Sequence, residues 1–210
     1  MLSGMADVVL FHSVLGIRQG ERDAAARLTA DGHQVLLPDL LDGRVFDDYE
    51  PAMAWSDERG QDELLERASA AVRDVPDGFV VGGFSQGSSL AFSVALRRKV
   101  SAVLQFSGIN QLEWFGPDAL WPTDVPVQAH LMSDDPFREQ QVEEQAAVDI
   151  SASGGRLELF VYPGAGHLFT DPTLPVEYDS AATQLMWSRV LPFVREHGTG
   201  SRASLGPTLD

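Results

Sequence analysis

Along this chain, apolar residues gather in short unbroken runs, and between the runs they recur at helical spacing. Val8–His12, Gln34–Pro38, Phe79–Gly83, Ala102–Phe106, Val127–Met132 and Leu157–Tyr162 are the runs, each short enough to be a strand and too short to be a buried helix. Between them Gln19–Ala30 sets Ala24, Ala25 and Leu28 on one side and stops at Asp31-Gly32. A helix capped by Ser56 or Asp57 is predicted to align Leu64, Leu65, Ala68, Ala71, Val72 and Val75 on one face. Further helices are predicted over Gln86–Arg98, from about Phe137 to Ser153 before Gly154-Gly155, and from about Val176 to Glu196. Strands that are apolar without alternation belong in a sheet covered on both faces, hence mostly parallel. Six such β-α repeats predict an open, doubly wound α/β sandwich with ligands at the carboxyl ends of the strands. Residues 1–197 are read as one domain and the Gly/Ser/Thr-rich stretch 198–210 as a flexible tail.

Three connections exceed a plain β-α turn: Leu41–Ser56, Gly108–Val125 and Leu168–Pro175. They carry bulky apolar residues, including Phe46, Tyr49, Met53 and Trp55, then Trp114, Phe115 and Trp121, then Leu168, Phe169 and Leu174. Disordered loops seldom do. Folding over the active edge as pocket walls and plugging the ends of the sheet explain any one of these residues equally well. Leu15, Trp114, Phe115 and Phe169 are taken as candidate substrate contacts.

Charge narrows the choice of partner. Fifteen Lys and Arg oppose 31 Asp and Glu, a net charge of −16, so no basic stripe is available for nucleic acid or an anionic membrane. No apolar run approaches the ~20 residues that span a bilayer, and the N-terminus has no secretory pattern. The chain has no cysteine, which removes disulfides, Cys-ligated zinc and a thiol nucleophile. A cytoplasmic protein acting on a small molecule, without metal or cofactor, is expected. No oligomeric state is encoded in any pattern of the sequence.

Gly83-Phe84-Ser85-Gln86-Gly87 has the form Gly-x-Ser-x-Gly. The bare pattern is weak, and a glycine-rich turn with a capping serine would also satisfy it. Its setting is more specific: it follows an apolar strand and opens a helix of small residues, as a nucleophile elbow requires. A phosphate-binding loop would need a lysine or a Gly-x-Gly-x-x-Gly spacing, and neither is present. A nucleophilic serine needs a base and a group that fixes the base, in the chain order Ser, acid, His. Asp134-Asp135 follows one later strand and His167 follows the next, on Pro163-Gly164-Ala165-Gly166-His167. Of the two acids Asp135 is preferred because it directly precedes Pro136-Phe137, which leaves Asp134 to cap the helix. Taken singly, His167 reads as a loop histidine and Asp135 as a helix cap; the joint order and placement favour catalysis. The amide of Gln86, at a helix N-terminus, is a candidate oxyanion donor.

On these residues the chain resembles the dienelactone hydrolase family of α/β-hydrolases over nearly all of residues 7–196. The carrying segments are Phe11–Gly16, Gly32–Gly43, Gly82–Gly87, Asp135-Pro136-Phe137 and Tyr162–Phe169. The resemblance implies an α/β-hydrolase fold without a large cap domain. It also implies nucleophile Ser85, acid Asp135, base His167, and oxyanion amides at Gln86 and Val14, with Leu15 an alternative to Val14. Three departures qualify it. The family's archetype has cysteine where Ser85 stands, a glutamate where Ser13 stands, and an arginine for the substrate carboxylate where Leu168–Asp171 offers no cation. An acidic diene-lactone is therefore expected to be a poor substrate, with Arg44 the one substitute anchor in a candidate pocket loop. The expected activity is hydrolysis of a small carboxylic ester or lactone by a serine carboxylesterase-type mechanism. Thioester or amide cleavage, acyl transfer, and an idle hydrolase fold used for binding are the alternatives.

Overall fold

A computed structural model describes residues 7–198; the expected tail therefore lies, from residue 199 onward, outside the described residues. Six parallel strands form one sheet: β1 (Val8–Phe11), β2 (Val35–Leu36), β3 (Phe79–Phe84), β4 (Val100–Phe106), β5 (Val127–Met132) and β6 (Leu157–Tyr162), in the order β2-β1-β3-β4-β5-β6. The helices are α1 (Gln19–Ala30), α2 (Tyr49–Arg59), α3 (Gln61–Ala71), α4 (Gln86–Ala95), α5 (Gln140–Ala152) and α6 (Ser180–His197).

Why β1 is apolar throughout is visible in its burial, complete at every position. Val8 and Leu10 join one core with Leu28 of α1 and with Met186, Trp187 and Val190 of α6. Val9 and Phe11 join the other, with Leu64 of α3 and Leu90 and Phe92 of α4. Alternate side chains thus feed opposite cores, and no position can be polar without cost.

The sequence reading erred most between residues 41 and 60. Ser56 is not a helix cap but lies inside α2, which begins seven residues before it, within the stretch expected to be a loop. Pro51 sits in the first turn of α2, where a missing amide is tolerated. Only Ala52 and Ser56 of this helix are buried, so no apolar stripe announces it. Gly60 takes a left-handed φ of 80° and separates α2 from α3. Toward the other end, α5 starts at Gln140 with Glu139 as its cap, so Asp134 caps nothing. No large cap domain stands over the carboxyl edge among the described residues; α2 is the main insertion there.

Candidate active site

The bend after β3 is enforced by contact. Ser85 has φ 52° and ψ −116°, a region that costs an ordinary residue energy and persists only where its surroundings dictate it. A β-carbon at Gly83 would sit 2.0 Å from the Gly87 carbonyl oxygen, and one at Gly87 would sit 2.4 Å from that of Phe11. Glycine at both positions lets α4 start hard against β1 and β3. The Ser85 amide donates to the Phe106 carbonyl at 2.8 Å, which anchors the bend on β4.

Three loops then converge. Ser85 Oγ lies 2.8 Å from His167 Nε2, and His167 Nδ1 lies 2.7 Å from Asp135 Oδ2. A carboxylate only accepts, so Nδ1 carries the proton and Nε2 accepts from the serine hydroxyl. The other Asp135 oxygen accepts from the Phe137 amide at 2.8 Å. Asp134 is exposed and accepts from Ser133 Oγ instead, which separates the two neighbouring acids. Rings of Phe137 and Tyr49 flank the imidazole, with centroids 4.6 and 5.9 Å away.

The histidine loop is clamped from behind. Glu177 Oε2 accepts from the Leu168 amide at 2.6 Å and from the Tyr49 hydroxyl at 2.9 Å. Burial first, and the Glu177 charge second, push the Tyr49 phenol well above its ordinary range, so it remains a donor.

Opposite Ser85, the chain turns after β1. Gly16 donates to the Ser13 carbonyl at 3.1 Å, and Phe46 donates to that of Leu15 at 2.9 Å. Glu21 spans the turn, accepting from the amides of Ser13 at 3.2 Å and Arg18 at 3.0 Å. Burial pushes its carboxyl above the usual range while these amides pull the other way. Arg18 ties the same turn to the histidine loop. Its Nε donates to Asp171 at 2.7 Å, Nη1 to the Phe46 carbonyl at 2.6 Å, and Nη2 to Thr173 Oγ1 at 2.9 Å.

A cavity of about 450 Å³ opens over Ser85. Val14, Gln86 and Trp114 line it, together with Tyr49 and Met53 from the stretch Leu41–Ser56; so do Asn110, Phe137 and Arg138, which no pattern in the sequence marks as cavity residues. Leu15, Phe115 and Phe169 do not line it. Leu15 and Phe169 are fully buried in the core shared with α6, because the turns carrying them point their side chains beneath the loops. Phe115 closes a 3-10 helix (Leu112–Phe115) and stacks on Phe92 at 4.9 Å. Arg44 also turns away, its guanidinium lying over the Trp55 ring. The remaining histidines have local duties. His12 receives the Leu40 amide, His33 meets Asp7, His130 lies between Tyr162 and Gln128, and His197 packs against the Phe193 ring. Among the described residues, no group of three or more His, Asp or Glu side chains is arranged to hold a metal ion. No helix among them is long and apolar enough to cross a membrane.

Comparison with known proteins agrees with this architecture. The family model described as the dienelactone hydrolase family matches residues 4–198. A carboxymethylenebutenolidase of Rhodococcus opacus is 28% identical over 94% of this chain and 83% of its own. Among solved structures, a dienelactone hydrolase-like promiscuous phosphotriesterase from metagenomic libraries superimposes with a TM-score of 0.77 at 20% identity, covering 91% of this chain and 86% of that one. A thermophilic esterase from Thermogutta terrifontis gives a TM-score of 0.67 at 16% identity, over 100% of this chain and 86% of that one. At such identities these two structures speak for the fold alone.

Proposed function

The chain belongs to the dienelactone hydrolase family, and from that premise we propose that it hydrolyses a small carboxylic ester or lactone through an acyl-enzyme on Ser85. The observation that carries this reading is the unbroken relay from Ser85 Oγ through His167 to Asp135, with links of 2.8 and 2.7 Å, at the wall of the cavity. His167 Nε2 takes the hydroxyl proton as Oγ attacks the carbonyl carbon, and Asp135 holds the imidazole in the required tautomer and stabilises its charged form. The developing oxyanion is received by the amides of Gln86, at the start of α4, and Val14, in the turn held by Glu21; one such donor is worth about 10²–10³ in rate. His167 then protonates the leaving alcohol and, in the second half-reaction, draws a proton from the water that cleaves the acyl-enzyme.

With serine as nucleophile, the chemistry is of the serine carboxylesterase type rather than that of the cysteine archetype. The cavity volume suits a small substrate, and Met53, Trp114 and Phe137 offer apolar contact to an acyl or alcohol group. The test is Ser85→Ala, assayed on 4-nitrophenyl butyrate with the unfolding midpoint recorded in parallel. Turnover should disappear while the fold remains. A folded variant with undiminished turnover would overturn the assignment.

A further inference from the structure

The charged side chains around the cavity are Asp57, Asp135, Glu139, Glu143 and Arg138. Arg138 is the lone cation among the described residues that line it. It stands three residues beyond Asp135, where a guanidinium would naturally grip an anionic substrate. It is already engaged. Its Nε and Nη2 donate to the two oxygens of Glu143 at 2.5 and 2.9 Å, and Nη1 donates to the Ser133 carbonyl at 3.1 Å. Three of its five N–H groups are therefore committed, two of them in the bidentate fork that a substrate carboxylate would need.

Glu143 cannot simply step aside. Its side chain is 5% exposed, and it sits on α5 between buried Val142 and Ala146. Displacing it from Arg138 would leave an uncompensated carboxylate in the interior, which is strongly unfavourable. The pair cancels to zero charge, Asp135 is held by His167, and Asp57 and Glu139 leave the mouth acidic on a chain whose net charge is already −16. Two guanidinium N–H groups remain to donate to an uncharged oxygen.

We infer that this cavity selects esters and lactones that carry no carboxylate, with Glu143 as the residue that withholds Arg138 from one. The inference rests on the hydrolase reading above and specifies its substrate class.

The test uses two substrates of equal length that differ only in charge, 4-nitrophenyl adipamate (terminal carboxamide) and 4-nitrophenyl hydrogen adipate (terminal carboxylate). At low ionic strength the wild-type protein should favour the carboxamide at least fivefold in kcat/KM. Glu143→Gln, which leaves Arg138 charged without a carboxylate partner, should bring the two rates together or reverse them. Should that variant not fold, Asp57→Asn combined with Glu139→Gln alters only exposed positions and should narrow the preference by about twofold. A wild-type preference below fivefold overturns the inference, as does an unchanged preference in whichever of these variants folds. Cleavage of both esters at equal rates leaves the hydrolase reading standing and removes this inference alone. Cleavage of neither removes both.

Discussion

Replacing Gly87 by alanine probes the contact that seats the start of α4 against β1. The new methyl would lie 2.4 Å from the Phe11 carbonyl oxygen and 2.5 Å from that of His12, where ordinary contact begins at 3.4 Å. About 1 Å must be found. β1 cannot supply it, because it pairs with β2 on one side and β3 on the other, with Phe11 opposite Gly83. The start of α4 must therefore retreat, taking Ser85 Oγ and the Gln86 amide with it. A shift of that size stretches the 2.8 Å link to His167 beyond hydrogen-bond reach and misaligns the oxyanion donors. Misplacement by about 1 Å costs on the order of 10² in rate, and overpacking costs about 1–3 kcal/mol of stability. Initial rates on a short-chain nitrophenyl ester, with urea unfolding on the same samples, measure both. Gly87→Ala retaining rates within threefold of wild type, with an unchanged unfolding midpoint, would refute the claim that this contact positions the nucleophile.

Three other perturbations have definite expected outcomes. Asp135→Asn presents a donor to His167 Nδ1 and favours the wrong tautomer, so kcat should fall by roughly 10³–10⁴ with an unaltered circular dichroism spectrum; a folded variant keeping a tenth of the activity would count against the relay. Acidification from pH 7 to 5 should destabilise the fold, because burial holds His12 below the ordinary imidazole range and His130 down to about 3. The unfolded chain takes up protons near pH 6.5 that these two residues refuse when folded, so stability falls by up to about 1.4 kcal/mol per pH unit for each. His130→Gln should remove one histidine's share of that slope in urea titrations, and a slope equal to wild type would contradict the assignment. Finally, Arg18→Met leaves the buried Asp171 carboxylate without its partner and should cost about 3–5 kcal/mol; a loss under about 1 kcal/mol in urea unfolding would show that the turn after β1 does not depend on this tie.

What the sequence disclosed follows from how each feature is built. Strands buried on both faces leave nearly continuous apolar runs, and β5 begins and ends where its run does; the edge strand β6, only half-buried over most of its length, keeps its bounds as well. The bend at Ser85 was legible because sterics demand glycine at positions 83 and 87. α2 was hidden, since a helix that buries little more than Ala52 and Ser56 has no periodic signature. Tyr49, which flanks His167 and shares Glu177 with the histidine loop, is legible in the sequence only as a bulky loop residue that a pocket wall or a core would accept. Leu15, Phe115 and Phe169 were misread because an apolar residue in a long loop satisfies a core as readily as a pocket wall. The Arg138–Glu143 pair spans five residues across the start of α5, a spacing that no helical periodicity marks.

The order of the strands divides labour along the active edge. The loop after β3 supplies residue 85, that after β5 residue 135, and that after β6 residue 167, each bound to its neighbours by close contacts. The loop after β4 lies among them and brings Ile109, Asn110 and Trp114 to the cavity, yet holds no member of the relay. Its sequence can change without removing a member of the relay, provided Asn110 keeps its bonds to Ser88 and Ser89. Recombining residues 109–114 between relatives is therefore the natural route by which this scaffold would acquire a new preference, and the first place a library aimed at one should be built.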